Sequence, residues 1–179
     1  MFIMIEGIDG TGKSVLVKNL SEITDMTAVK PMSDHFPWMR LNGISGLNDP
    51  MIDMVVPDVI RMTGIDLITD RCLLSVMAYK LHRKEIGLSR ARMIIRYWEK
   101  KMLPKSSFLV MLSLNMESSY AIRSHRFSVK QLLHLEKQYY QLLDIVTIPV
   151  IYHSYEQDGE ALTPEESAQR VWSKINSHD

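Results

Sequence analysis

The sequence predicts an α/β domain of parallel strands joined by right-handed helical crossovers. Three observations predict it. Short apolar runs alternate with longer segments of helical period along the chain. The first run leads directly into a glycine-rich turn. No repeat, low-complexity stretch or linker divides the 179 residues, a length that suits one domain with its own core.

The elements follow in order. Phe2–Glu6 is a buried strand that ends in the Gly-rich turn. Ser14 to Ile23 is a helix, with Val15, Leu16, Leu20 and Ile23 as its apolar stripe. Thr27–Lys30 is a second short strand closed by Pro31. Residues 32–48 read as loop with a helical turn, and Asp49–Met62 as a helix weakened by Pro57. Ile65–Thr69 is a third strand, with Asp70-Arg71 at its carboxyl end. Leu73–Lys84 and Ser89–Leu103 are helices, the second capped by Ser89 and stopped by Pro104. Phe108–Leu114 is the fourth strand. Glu117–Ser124 is a helix running into a basic turn, and Ser128–Val146 is a long helix rich in Leu and Tyr. Pro149–His153 is the fifth strand. Thr163, Pro164 and Glu166 start a last helix that runs to Ile175. Functional residues should gather at the carboxyl ends of such strands.

Composition narrows the function classes. Hydrophobic residues at 46% and charged residues at 23% suit a soluble globular protein. Lys+Arg and Asp+Glu both number 21, so no net charge draws the chain to nucleic acid or an anionic membrane. The single cysteine, Cys72, excludes an intrachain disulfide and a Cys-rich zinc site, and fits a reducing compartment. The opening Met-Phe-Ile-Met-Ile-Glu-Gly has no basic start and reaches an acid at its sixth position. No stretch is long and apolar enough to span a membrane. The expectation is a cytoplasmic protein without a signal peptide.

Gly7-Ile8-Asp9-Gly10-Thr11-Gly12-Lys13-Ser14 matches G-x-x-x-x-G-K-[ST] at every fixed position. Its glycines let backbone N–H groups turn inward around phosphate oxygens, and the next helix points its positive end at the same anion. Lys13 is expected on the β- and γ-phosphates of ATP, and Ser14 on Mg²⁺. A predicted strand before the motif and a predicted helix after it supply the context it needs. Asp70 is placed to hold the metal's water shell or to orient an acceptor, and Arg71 to grip a phosphate with its fork. Taken alone, that pair is equally readable as a helix cap beside a surface salt bridge.

Two segments together carry a resemblance. Glu6–Ser14 resembles the P-loop of the thymidylate kinases, and Asp70-Arg71-Cys72-Leu73-Leu74-Ser75-Val76-Met77-Ala78-Tyr79 resembles that family's Asp-Arg-Tyr…Ser…Ala-Tyr segment. The chain is similar to this branch of the P-loop kinases in the order and spacing of its elements. The resemblance implies a three-layer fold whose five parallel strands run in the order 2-3-1-4-5. It implies ATP and Mg²⁺ as co-reactants and a deoxynucleoside monophosphate, such as dTMP or dUMP, as a small-molecule acceptor. Asp9 resembles the acid that contacts the acceptor's 3′-hydroxyl, and Arg71 the arginine that holds its phosphate. Tyr79 lies on the helix lining the acceptor pocket. Relatives are commonly dimers, which leaves a homodimer over the Leu73–Lys84 helix open.

The chain also departs from that family. Where Arg-Glu-Pro-Gly-Gly is usual, it has Val29-Lys30-Pro31-Met32-Ser33, so Lys30 offers a point charge in place of a fork. Cys72 replaces the tyrosine associated with ribose exclusion. Residues 32–62 do not align as a base pocket; Phe36 or Trp38 is the candidate for stacking on the base. Arg123-Ser124-His125-Arg126 falls where the family places its lid, here a short one near 120–128, with Arg123 and Arg126 as the catalytic cations. Tyr155–Gly159 falls where the family places its adenine-contacting loop. Tyr139 and Tyr140 read as helix core. Arg90, Arg92, Arg96, Lys100 and Lys101 read as a solvated helix face.

Other functions stay open at this point. A deoxynucleoside kinase would use a carboxylate base, and no acid follows the second strand until Asp34. A modified nucleotide or a nucleic-acid group could be the acceptor, against which the zero net charge weighs. A non-catalytic nucleotide-binding switch would usually carry Asn-Lys-x-Asp, and the nearest segment, Asn115-Met116-Glu117, does not match.

Overall fold

A computed structural model describes residues 1–29, 62–113, 128–157 and 160–178 of the chain. The elements are β1 (Phe2–Glu6), α1 (Lys13–Thr24), β2 (Thr27–Val29), β3 (Leu67–Asp70), α2 (Leu73–His82) and α3 (Leu88–Lys101). They continue with β4 (Ser107–Leu112), α4 (Val129–Leu143), β5 (Val150–His153), β6 (Glu156–Gln157), β7 (Glu160–Ala161) and α5 (Pro164–Asn176). Strands β1 to β5 form one parallel sheet in the order β2-β3-β1-β4-β5, which is the expected architecture.

Side-chain alternation sorts the sheet into two faces. Phe2 and Met4 of β1, with Leu109 and Met111 of β4, join the core cluster built by α2, α3 and α4. Ile3 and Ile5, with Phe108 and Val110, join the cluster built by α1 and α5. The central strands are buried on both faces, which is why they read as continuous apolar runs. Strand order reverses at β1, so the crevice beyond the carboxyl ends of β1, β3 and β4 is the topological switch point of the sheet.

Helix ends follow local chemistry. Ser128 and Thr163 each close a capping box, with Gln131 and Glu166 respectively. The expected cap at Ser89 is wrong: Gly87 takes the extended conformation before α3, and Ser89 lies inside the first turn, exposed. The stripe on α1 also needs correction. Lys13, Leu16, Val17 and Leu20 are buried, whereas Val15 is 44% and Ile23 41% exposed. Val15 points about 100° away from Leu16 on the helix. Tyr140 is likewise exposed at 40%, while Tyr139 is fully buried.

Strand β3 starts later than expected, leaving Ile65 exposed, and it includes Asp70. Beyond β5, β6 and β7 pair antiparallel in a hairpin too short and polar to leave a periodic signal. The helix expected over Glu117–Ser124 and most of that over Asp49–Met62 lie outside the described residues. No described helix is long and apolar enough to cross a membrane.

Candidate active site

The loop between β1 and α1 is shaped by glycines at positive φ, two of them under steric demand. A Cβ on Gly7 would meet the carbonyl oxygen of Leu112 and Oγ1 of Thr11, each at 2.9 Å. A Cβ on Gly12 would meet the ring of Tyr155 at 2.7 Å. Tyr155 also donates its hydroxyl to the Gly12 carbonyl at 3.0 Å, so the segment after β5 rests directly on the loop. Ile8 anchors the loop in the core, and its carbonyl accepts from Thr11 Oγ1 at 2.9 Å and Lys13 Nζ at 2.6 Å. Helix α1 begins with no side-chain cap and no acid in its first turn, so its N–H dipole stays directed at the loop.

Lys13 is buried, and its pKa is lowered to about 7, first by desolvation and then by the nearby charge of Arg71. Its partner in the motif, Ser14, is exposed at the mouth of the loop and donates to Asp70 Oδ2 at 2.5 Å. Alternation along β3 explains this meeting. Ile68 belongs to the α1 face, and Asp70 shares its parity. The second oxygen of Asp70, Oδ1, is buried with no hydrogen-bond partner among the described residues. A hydroxyl beside an acceptor oxygen in want of a donor fits the sparse protein ligation of Mg²⁺, which keeps waters and phosphate oxygens as most of its ligands. No group of three or more His, Cys, Asp or Glu residues suited to a metal occurs among the described residues.

Arg71 sits at φ 80°, a left-handed conformation that costs a residue with a Cβ about 1 kcal/mol or more and is held here by surrounding contacts. Its backbone N–H donates to Ile5 at 2.9 Å. Its Nη2 pairs with Asp9 of the P-loop. Its Nη1 donates to Ser75 Oγ at 3.2 Å and approaches the Tyr139 hydroxyl at 3.5 Å. Tyr79 lies 5.6 Å from its guanidinium carbon in a cation–π contact. Burial works against the charge, but the Tyr139 and Tyr79 oxygens and the Asp9 and Glu6 carboxylates outweigh it, and the pKa is raised. Arg71 is therefore a fixed, permanent cation whose side chain keeps 22% exposure beside the P-loop.

The structure thus brings together Gly7, Ile8, Asp9, Gly10, Thr11, Gly12, Lys13, Ser14, Asp70, Arg71 and Tyr79 as one crevice at the switch point. Lys30, Phe36, Trp38, Arg123 and Arg126 lie outside the described residues, as does the lid up to residue 127. Three residues of the site carried no assigned role in the sequence. Glu6 reads as the end of a strand, Ser75 as one position of a motif, and Tyr139 as core. The available signal was a Tyr in a leucine stripe, since its hydroxyl needs a buried partner. Cys72 is buried, and its backbone N–H donates to Glu6.

No protein-family model matches the sequence, and no curated protein matches it. Solved structures do match. A deoxyadenosine kinase from M. mycoides, with products dCMP and dCDP bound, superposes with a TM-score of 0.67 at 15% identity, covering 100% of both chains. The YorR protein from Bacillus subtilis, in complex with phosphorylated GDP, gives 0.67 at 18% identity, over 100% of this chain and 99% of that one. Thymidylate kinase from Candida albicans gives 0.67 at 17% identity, over 99% and 91%. The chain has the fold of these proteins, the three-layer P-loop nucleotide kinase fold.

Proposed function

We propose that the chain is an ATP-dependent kinase of the thymidylate kinase-like branch, transferring the γ-phosphoryl group to a deoxynucleoside monophosphate of dTMP or dUMP type. One observation carries the reading: Arg71, a permanently charged fork, is fixed beside Lys13 and Ser14 by an acid of the P-loop itself. An acceptor that is already an anion needs such a cation, and a neutral nucleoside does not. The likeness to a thymidylate kinase supports the same reading at the level of fold.

In this reading the loop N–H groups and Lys13 hold the β- and γ-phosphates. Ser14 and Asp70 would hold Mg²⁺, which supplies neutralisation of charge on the phosphate oxygens. Arg71 aims the acceptor phosphate at the γ-phosphorus, with Lys30 as a second cation, for direct in-line transfer. Asp9 and Tyr79 line the sugar side of the acceptor, and Phe36 stacks on its base. Arg123 and Arg126 of the short lid close over the transferring group and keep water out. In this reading the segment from Tyr155 borders the adenine, a role that the contact of its ring with Gly12 of the P-loop supports.

A second reading, a deoxynucleoside kinase, has its own support. The deoxyadenosine kinase superposes as well as the thymidylate kinase does. Asp70 also offers a carboxylate as a base, with one oxygen that has no hydrogen-bond partner among the described residues. The test is turnover of Mg·ATP against a panel of monophosphates and free nucleosides, following ADP and product. The proposal expects dTMP or dUMP to react with nucleosides inert; turnover of nucleosides alone would install the second reading. In Arg71→Ala, KM for the monophosphate should rise at least tenfold more than KM for ATP, the order expected for losing a charge-assisted bond. Equal changes would remove Arg71 from the acceptor.

A further inference from the structure

We propose that Glu6 is a positioning residue for the acceptor phosphate, acting through Ser75 on Arg71. This rests on the monophosphate-kinase reading above. Glu6 is the last residue of β1, directly before the P-loop, and has no exposed surface. It shares the parity of Phe2 and Met4, which turns it to the α2 face of the sheet, the face opposite Asp70.

There its carboxylate accepts three hydrogen bonds. The backbone N–H groups of Cys72 and Ser75 donate to Oε1 at 2.7 and 3.1 Å, and the Ser75 hydroxyl donates to Oε2 at 2.5 Å. Cys72 is the N-cap of α2 and makes no side-chain capping bond. Glu6 therefore caps that helix from another strand and secures the turn in which Arg71 adopts its positive φ.

A count of protons shows how this reaches the guanidinium. An ionised carboxylate only accepts, so the one hydroxyl proton of Ser75 is committed to Glu6. Both remaining lone pairs of Ser75 Oγ then accept, one from the Tyr139 hydroxyl at 2.8 Å and one from Arg71 Nη1 at 3.2 Å. Burial and the Glu6 carboxylate both raise the Tyr139 pKa, so that phenol keeps the proton it donates. Arg71 is thus gripped at both ends. Asp9, inside the P-loop, holds Nη2, while Glu6, just before the loop, holds Nη1 by orienting Ser75. The same stretch of chain that forms the ATP site also aims the acceptor cation.

Glu6→Gln keeps one acceptor oxygen for the α2 N–H groups but presents an NH₂ to Ser75. The Ser75 proton loses its carboxylate acceptor and has to turn to Tyr139, reversing that bond and leaving the phenol's own proton without one, so the hydroxyl that receives Arg71 Nη1 is no longer fixed in place. The expected result is a rise in monophosphate KM of about ten- to hundredfold, the range for a charge-assisted hydrogen bond, with KM for ATP within about twofold. In an Arg71→Ala background, Glu6→Gln should add no further loss in kcat/KM for the monophosphate, because its effect runs through Arg71. Ser75→Ala, which leaves the backbone bonds to Glu6 intact, should show the same split and serves if Glu6→Gln does not fold. Equal changes in both KM values, or additivity with Arg71→Ala, would overturn the inference and leave the monophosphate kinase standing. Wild-type turnover of nucleosides alone would fail the parent reading, and the inference with it.

Discussion

Lys13 shows how much a single side chain's surroundings matter. The motif names it as the phosphate lysine, yet burial and the neighbouring guanidinium of Arg71 lower its pKa to about 7. Phosphate oxygens favour the charged form, so they raise that pKa when nucleotide binds. Binding at pH 8 should therefore take up a fraction of a proton, approaching one, and affinity should fall as pH rises through 8 and 9. Calorimetric titration of ATP at pH 8 in two buffers of different ionisation enthalpy measures the uptake. Identical heats in the two buffers, or uptake that survives Lys13→Ala, would contradict it. Gly12 makes a similar point about shape. Its lack of a side chain serves φ 81° and also admits the Tyr155 ring, a contact with a residue 143 positions away.

Among the elements, every described helix was legible in the sequence, but not every cap that starts one. Thr163 announces its capping box within four residues of sequence, and the box forms; Ser128, read only as the start of a long helix, closes one with Gln131 as well. Ser128→Ala should cost about 1 kcal/mol, the usual value of an N-cap, read as a lower urea midpoint with an unchanged slope. A change in stability below a few tenths of a kcal/mol would mean the cap adds nothing to α4. Helix α2 is the contrary case. Its N-terminus is satisfied by Glu6, 66 residues away from Cys72, and no local pattern announces such a cap. Ser89 looked like a cap because of its residue type, but Gly87 reaches the extended conformation first.

At the scale of the whole molecule, helices packed on both faces of one sheet also bury titratable groups. His153, at the end of β5, is lowered to about 4, first by burial and then by Lys174 and Arg170. His82 on α2 is lowered in the same direction by burial and by His134 of α4, whose Nδ1 lies 3.0 Å from its own. Both folded values lie below the ordinary 6.5. The unfolded chain then binds protons that the folded chain refuses, so stability falls as pH drops below 6.5 toward 4. Denaturant titrations at pH 7.5 and 5.5 should show a lower midpoint at the acid value, with a smaller difference in His153→Leu. Equal midpoints in the wild type would refute this. The same fold recurs at 15–18% identity in the structural neighbours.

The sequence by itself determined the alternation of strands and helices, the phosphate loop Gly7–Ser14 and the pair Asp70-Arg71, because each depends on residues adjacent in the chain. Period, glycine placement and caps are local physics, and they survive translation from a string of letters. Only the tertiary structure decided which way Asp70 turns, that Asp9 holds Arg71, and that Tyr139 and Glu6 belong to the site. Those facts depend on parallel strands placing the ends of β1 and β3 side by side, and on α4 crossing α2. Partners 62 to 69 residues apart meet only after the sheet has formed. A buried carboxylate or phenol then acquires its role from the donors and acceptors that packing brings to it.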